Sequence, residues 1–127
     1  MSEKVLNTII LDDNPVFRES IRGLLSSIDY IRVISETGSA KAALATIEKD
    51  APQLIIADIR LPGMSGLELA GVLKERHPGM DVILITLYDN DRYRQEAGRL
   101  GFSYIPKSSL LEDLPLLLEK LRGGENN

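Results

Sequence analysis

The chain has no cysteine among its 127 residues. That excludes a disulfide framework, a thiolate nucleophile and a zinc–thiolate centre, and it fits a reducing compartment. Basic excess is missing too: 15 Lys and Arg face 19 Asp and Glu, for a net charge of −4. Such a balance argues against a nucleic-acid-binding surface, which would want a basic patch. No apolar run approaches the ~18 residues that cross a bilayer. The opening MSEKVLNT lacks the apolar core of a signal peptide. Internal repeats, low-complexity tracts and a linker are likewise absent. These absences predict one cytoplasmic domain over residues 1–127, with its core at 5–122, a flexible tail at 123–127, and no membrane or direct nucleic-acid partner. A chain of this length can bury a sizeable core.

What is present is alternation. Five short apolar runs occur, at Thr8–Leu11, Ile31–Ile34, Leu54–Ala57, Val82–Ile85 and Phe102–Ile105. The first, third and fourth are continuous, as in strands covered on both faces. Helix-length segments lie between them. Asn14-Pro15 supplies a cap and a first-turn proline for a helix with Val16, Phe17, Ile21, Leu24 and Leu25 on its apolar side. Ser39 can cap a second helix, and Ser65-Gly66-Leu67-Glu68 matches a capping box opening a third. The fourth, Asn90 to Leu100, has a thin apolar stripe and an internal Gly98. The fifth begins near Leu110, and its Pro115 sits in the first turn or kinks it. Strand and helix alternating in this way call for an open parallel α/β sheet with right-handed crossovers.

In such sheets ligands bind beyond the C-terminal ends of the strands, where strand order reverses. Strand one here ends in Asp12-Asp13, strand three in Asp58, strand four in Thr86, and strand five runs into Lys107. Taken singly each has a plain reading. Asp12 or Asp13 could be a turn or cap residue, Asp58 an ordinary strand-end polar group, Thr86 a good strand former, and Lys107 a solvated loop charge. The joint placement carries the weight, because all five fall at one rim. Adjacent carboxylates disfavour each other and need a cation or hydrogen bonds to compensate. Mg²⁺ suits them, being hard and oxygen-seeking, and it takes one or two carboxylates plus phosphate oxygens. A carboxylate beside it can act as a nucleophile toward phosphorus. Phosphoryl transfer then asks for positive charge and hydroxyl donors around the phosphoryl oxygens.

The acidic pair in "LDDNP", the "ADIRLPGMSGLEL" stretch, the threonine of "ILIT" and the lysine of "SYIPKSS" resemble the receiver domains of two-component response regulators. Both the chemotaxis-type single receiver and the receiver of helix-turn-helix regulators are similar. The resemblance covers Val5 to Arg122 and implies a flavodoxin-like, doubly wound, five-stranded parallel sheet of order 2-1-3-4-5 with five helices. It implies Asp58 as the acceptor of a phosphoryl group from a sensor histidine kinase or phosphotransfer protein. Asp13, Asp58 and the Arg60 carbonyl would bind Mg²⁺ directly, and Asp12 through water. Thr86 and Lys107 would contact the phosphoryl oxygens, and Tyr104 would change rotamer with Thr86. An output protein, or a second copy of the chain, would then dock on the fourth helix, fifth strand and fifth helix. The chain would catalyse only its own phosphorylation and dephosphorylation.

The sequence also departs from the family. Leu87 follows Thr86 where a small residue is usual, and its bulk would crowd the phosphate. Ser108 follows Lys107 where many members carry proline. Arg60 and Tyr88 occupy positions that, with Leu87, tune the lifetime of the phosphate in the family. No helix-turn-helix domain follows before Asn127, so the chain acts alone or has been cut from a longer regulator. A phosphorylation-independent interaction or dimerisation module is the alternative. A haloacid-dehalogenase-like phosphohydrolase would need an acid/base aspartate where Arg60 stands.

Overall fold

The continuous apolar runs become the strands covered on both faces. In the computed structural model, which describes residues 5–123, β1 (Leu6–Leu11), β3 (Leu54–Asp58) and β4 (Asp81–Thr86) form the middle of a parallel sheet. β2 (Ile31–Thr37) and β5 (Ser103–Pro106) form its edges, in the order β2-β1-β3-β4-β5. Every residue of β3 is buried. Successive residues of the central strands serve opposite layers, as the strand period requires. Ile9, Leu11, Ile55, Ala57, Val82 and Leu84 pack with α2 (Ala40–Asp50), α3 (Gly66–Arg76) and α4 (Asp91–Leu100). Ile10, Leu54, Ile56, Ile83 and Ile85 pack with α1 (Pro15–Leu25) and α5 (Leu110–Gly123). Edge strand β2 is only half-buried and exposes Arg32 and Glu36.

The caps form as the sequence predicts. Asn14 Oδ1 accepts from the Val16 and Phe17 amides, and Ser39 Oγ accepts from Ala42 N–H. Ser65 and Glu68 close a reciprocal capping box at 3.1 and 2.9 Å. Each cap is worth about 1 kcal/mol. Val16 is a correction: it is 71% exposed rather than on the inner face. The buried stripe of α1 runs through Phe17, Ile21, Leu24 and Leu25, and the position before Phe17 is rotated away from it. Pro115 does not sit in the first turn; it lies inside α5. Only the Leu111 carbonyl loses its donor there, and Leu111 is exposed, so water can serve that oxygen. Gly123 is the last residue of α5 rather than part of a tail, and the remainder of the expected tail, 124–127, lies outside the described residues. Among the described residues no helix is long and apolar enough to cross a membrane.

α4 is the most thinly packed α-helix, with Ala97 its one buried residue. Gly98 is exposed there, and a Cβ at this position would meet nothing within 4 Å. Gly98→Ala is therefore expected to raise the unfolding free energy by about 1 kcal/mol. Urea unfolding followed by circular dichroism checks this, and an unchanged or lowered midpoint would contradict the open geometry.

Candidate functional site

Three strand ends repeat one device. Asp12 Oδ1 accepts from the amide of Asn14 at 2.9 Å, Asp58 Oδ1 from that of Arg60 at 3.1 Å, and Thr86 Oγ1 from that of Tyr88 at 2.9 Å. Each side chain thus bridges to the amide two residues on and turns the chain out of the sheet. For the two aspartates this occupies one carboxylate oxygen and directs the other inward. Lys107, immediately after β5, meets both of those oxygens: Nζ lies 2.8 Å from Asp12 Oδ2 and 3.0 Å from Asp58 Oδ2. All three side chains are buried, that of Lys107 being 4% exposed and that of Asp12 0%.

The backbone around Asp58 is fixed by glycine. The Gly66 amide donates to the Ile59 carbonyl at 2.8 Å, which brings the start of α3 against the end of β3. A Cβ on Gly66 would fall 2.2 Å from the Asp58 carbonyl oxygen. At the end of β1, Arg18 Nη1 donates to the Asp12 carbonyl at 2.5 Å, while Gly38 leaves room for that guanidinium and for Asp13 Cα.

The charge balance is incomplete. Burial pushes the Asp58 carboxyl above the usual carboxylate range and the neighbouring Asp12 charge adds to this, while Lys107 and the Arg60 amide oppose it. Asp12 Oδ2 is buried and, although close to Nζ, has no aligned hydrogen-bond donor. Asp12, Asp13 and Asp58 each offer an oxygen within 4.8 Å of the others. An all-oxygen set of three carboxylates, facing a single ammonium, fits a hard divalent cation.

These groups line a cleft of about 260 Å³ together with Asn14, Arg60, Leu87 and Tyr88. The Arg60 guanidinium stacks on the Tyr88 ring at 4.3 Å, joining the β3–α3 and β4–α4 loops over the acidic site. Leu87 is 67% exposed, so most of its bulk lies in solvent rather than over Asp58. Ser108 belongs to a 3₁₀ turn, Lys107–Ser109, closed by the Leu110 amide on the Lys107 carbonyl. A larger groove of about 830 Å³ beside α4 lacks such convergence, because Glu68 caps α3 and Glu96 pairs with Arg99.

Of the residues singled out in the sequence, Asp12, Asp13, Asp58, Arg60, Leu87, Tyr88 and Lys107 line the cleft. Thr86 is fully buried at the end of β4. Tyr104 pairs with Leu84 in the β4–β5 register, which puts it on the same sheet face as Thr86. Its hydroxyl donates to Asp89 Oδ1 at 2.8 Å, and Arg94 both grips Asp89 and covers the tyrosine ring at 4.6 Å. Sequence reasoning missed Asp89, Arg94, Phe17 and Arg18. Their one local signal is the i, i+5 spacing of Asp89 and Arg94 across a helix start, which by itself is common.

The sequence matches the response regulator receiver domain family over residues 8–119. The chain belongs to that family. This receiver is 34% identical over 117 residues to the positive alginate biosynthesis regulatory protein of Pseudomonas aeruginosa, covering 91% of the chain and 46% of that protein. It is 33% identical over 118 residues to the transcriptional regulatory protein BtsR of Salmonella typhi, covering 93% of the chain and 48% of the relative. The receiver thus spans about half the length of the curated relatives it matches. Among solved structures it superposes on the isolated REC domain of RcsB from Salmonella enterica serovar Typhimurium, obtained with phosphomimetic BeF3−. That match has a TM-score of 0.90 at 26% identity and covers 98% of this chain and 93% of that one. The signal receiver domain of a NarL-type regulator of Mycobacterium tuberculosis matches with a TM-score of 0.86 at 25% identity, covering 96% and 99%.

Proposed function

We propose that this receiver is a phosphorylation-activated signalling switch in which Asp58 accepts a phosphoryl group from a histidine of a sensor kinase or phosphotransfer protein. The observation that carries the reading is the meeting of Asp58 Oδ2 with Lys107 Nζ at 3.0 Å beside Asp12 and Asp13. A carboxylate oxygen of Asp58 attacks phosphorus, and the donor's P–N bond breaks with its electron pair left on the imidazole nitrogen. Water later attacks the acyl phosphate, releasing inorganic phosphate and restoring the carboxylate. Asp12, Asp13, Asp58 and the Arg60 carbonyl would hold Mg²⁺, which supplies charge neutralisation for the phosphoryl oxygens. Lys107 adds an ammonium on the same side. Thr86 Oγ1 already accepts from Tyr88 N–H, so its own proton is left to donate to a phosphoryl oxygen.

Tyr104 is the second half of the switch. Its hydroxyl is tied to Asp89 at the start of α4, so a movement of the β4–α4 loop with Thr86 changes the α4–β5–α5 face, where an output protein or second copy docks. The thin packing of α4 makes that element the cheapest to move. The Arg60–Tyr88 stack and Leu87 border the cleft and set water access to the acyl phosphate. The likeness to the RcsB receiver, whose structure was obtained in the presence of phosphomimetic BeF3−, supports this reading. On this reading residues 5–122 act as one unit in the cytoplasm, catalysing no reaction but their own modification. The phosphorylation-independent module remains the second reading, and it leans on Leu87, whose largely exposed side chain weakens the case for crowding.

The test is intact mass after incubation with acetyl phosphate, with and without Mg²⁺, beside Asp58→Asn. One Mg²⁺-dependent phosphoryl adduct absent from the variant is the expected result. An adduct that survives in Asp58→Asn would overturn the assignment. So would no adduct in the wild type from either acetyl phosphate or a phosphohistidine protein.

A further inference from the structure

Lys107 is held on three sides, and one of them is not a carboxylate. Its Nζ lies 2.8 Å from Asp12 Oδ2, 3.0 Å from Asp58 Oδ2 and 4.0 Å from the centroid of the Phe17 ring. With the side chain 4% exposed, the ring stands where water would otherwise solvate the ammonium. Phe17 is fixed in its turn: its amide donates to the Asn14 cap at 3.2 Å and its side chain packs on the α1–α5 layer of the core. A phenyl face attracts an ammonium but accepts no proton and brings no competing anion. An aliphatic side chain of similar volume would fill the space without that attraction. The lysine stem is flexible and its three donors rotate freely, so its carboxylate contacts alone do not fix where the charge sits.

We propose that Phe17 is a positioning residue for the chemistry at Asp58, its ring face centring the Lys107 ammonium between Asp12 and Asp58. This rests on the phosphoacceptor reading given above. The neighbouring Arg18 donates to the Asp12 carbonyl, so consecutive residues of α1 reach Lys107 and the strand end that bears Asp12. A purely structural Phe17 would be replaced well by leucine, whereas a ring that places a cation would be replaced only by another aromatic, of which tyrosine is the nearest in size.

The experiment compares wild type, Phe17→Leu and Phe17→Tyr, each first matched for fold by circular dichroism. Phe17→Met substitutes if the leucine variant does not fold. Labelling by acetyl phosphate with saturating Mg²⁺ is followed over donor concentration. Phe17→Leu is expected to lose about tenfold in plateau rate with little change in half-saturating donor, as misplacement of a reacting charge produces. Phe17→Tyr is expected to keep most of the rate. In parallel, the Lys107 ε-methylene proton resonance, assigned with Lys107→Arg, is expected upfield in wild type and Phe17→Tyr and to move downfield in Phe17→Leu. A wild-type plateau rate in Phe17→Leu overturns the proposal. If the wild type takes no phosphoryl group, it is the phosphoacceptor reading that fails. The ring's hold on Lys107 is then decided by the resonance, and an identical ε-methylene shift in wild type and Phe17→Leu overturns it.

Discussion

Gly66→Ala is expected to lower the unfolding free energy by about 3 kcal/mol, at the upper end of the usual range for forcing extra atoms into a packed site. The new Cβ would fall 2.2 Å from the Asp58 carbonyl oxygen and 2.9 Å from Ile59 Cα, both of them backbone atoms that cannot rotate aside. α3 must shift as a body, breaking the hydrogen bond from the Gly66 amide to the Ile59 carbonyl and pulling the capping box out of register. Because the atoms struck belong to Asp58 and its neighbour, the folded fraction is also expected to take up less phosphoryl group than wild type. Gly71→Ala, in the same helix but with nothing within 4 Å of its added Cβ, is the control. Urea midpoints of the two variants decide the matter: a Gly66→Ala midpoint equal to that of Gly71→Ala would mean that the close approach carries no weight.

The second large effect lies in the charges. Lys107→Met is expected to cost about 3 kcal/mol in the metal-free protein, since it strands the fully buried Asp12 and the nearly buried Asp58 without their cation. Mg²⁺ is expected to recover much of that loss, because a divalent ion in the acidic cluster replaces the missing charge. The pH dependence has a defined sign. The folded-state Asp58 pKa is raised, so the folded protein binds that proton more readily than the unfolded chain does. The Asp58 contribution to stability therefore falls as pH rises through this titration and levels off above it. Removing Lys107 deletes the main influence opposing that rise, so the decline should steepen. Urea midpoints over a pH series, in chelator and in Mg²⁺, measure both. Equal losses with and without the metal would sink the account.

How much of this was legible in the sequence follows from the range of the interactions. The central strands could be read because burial on both faces leaves an uninterrupted apolar run, as in Leu54–Ala57. The rim could be read because a parallel sheet places all its strand ends together, so Asp12, Asp58, Thr86 and Lys107 converge whatever their rotamers. Val16 was misread because one step around a helix start separates an inward from an outward position, and composition does not mark that step. The Phe17–Lys107 and Arg94–Tyr104 contacts were invisible for a different reason. The first joins elements far apart in sequence, and both depend on side-chain rotamers and on how α1 and α4 lie against the sheet. No period in the sequence carries that information. Gly66 looked like part of a capping motif, whereas its decisive property is the absent Cβ facing the strand that bears Asp58.

The two margins of the sheet have a consequence for behaviour at high concentration. An open parallel sheet presents unpaired amides and carbonyls along both outer strands, a template on which further chains can add. Here one margin is only four residues long and ends in Pro106, which has no amide to donate. The other skips Ile34 in its pairing with β1, between the Thr8–Val33 and Ile9–Ser35 pairs, and exposes charged Arg32 and Glu36. Neither margin offers a long, flat, uncharged strand for a newcomer. The same architecture that gathers the carboxylates at one rim therefore guards the protein against self-templated fibril growth at its sides.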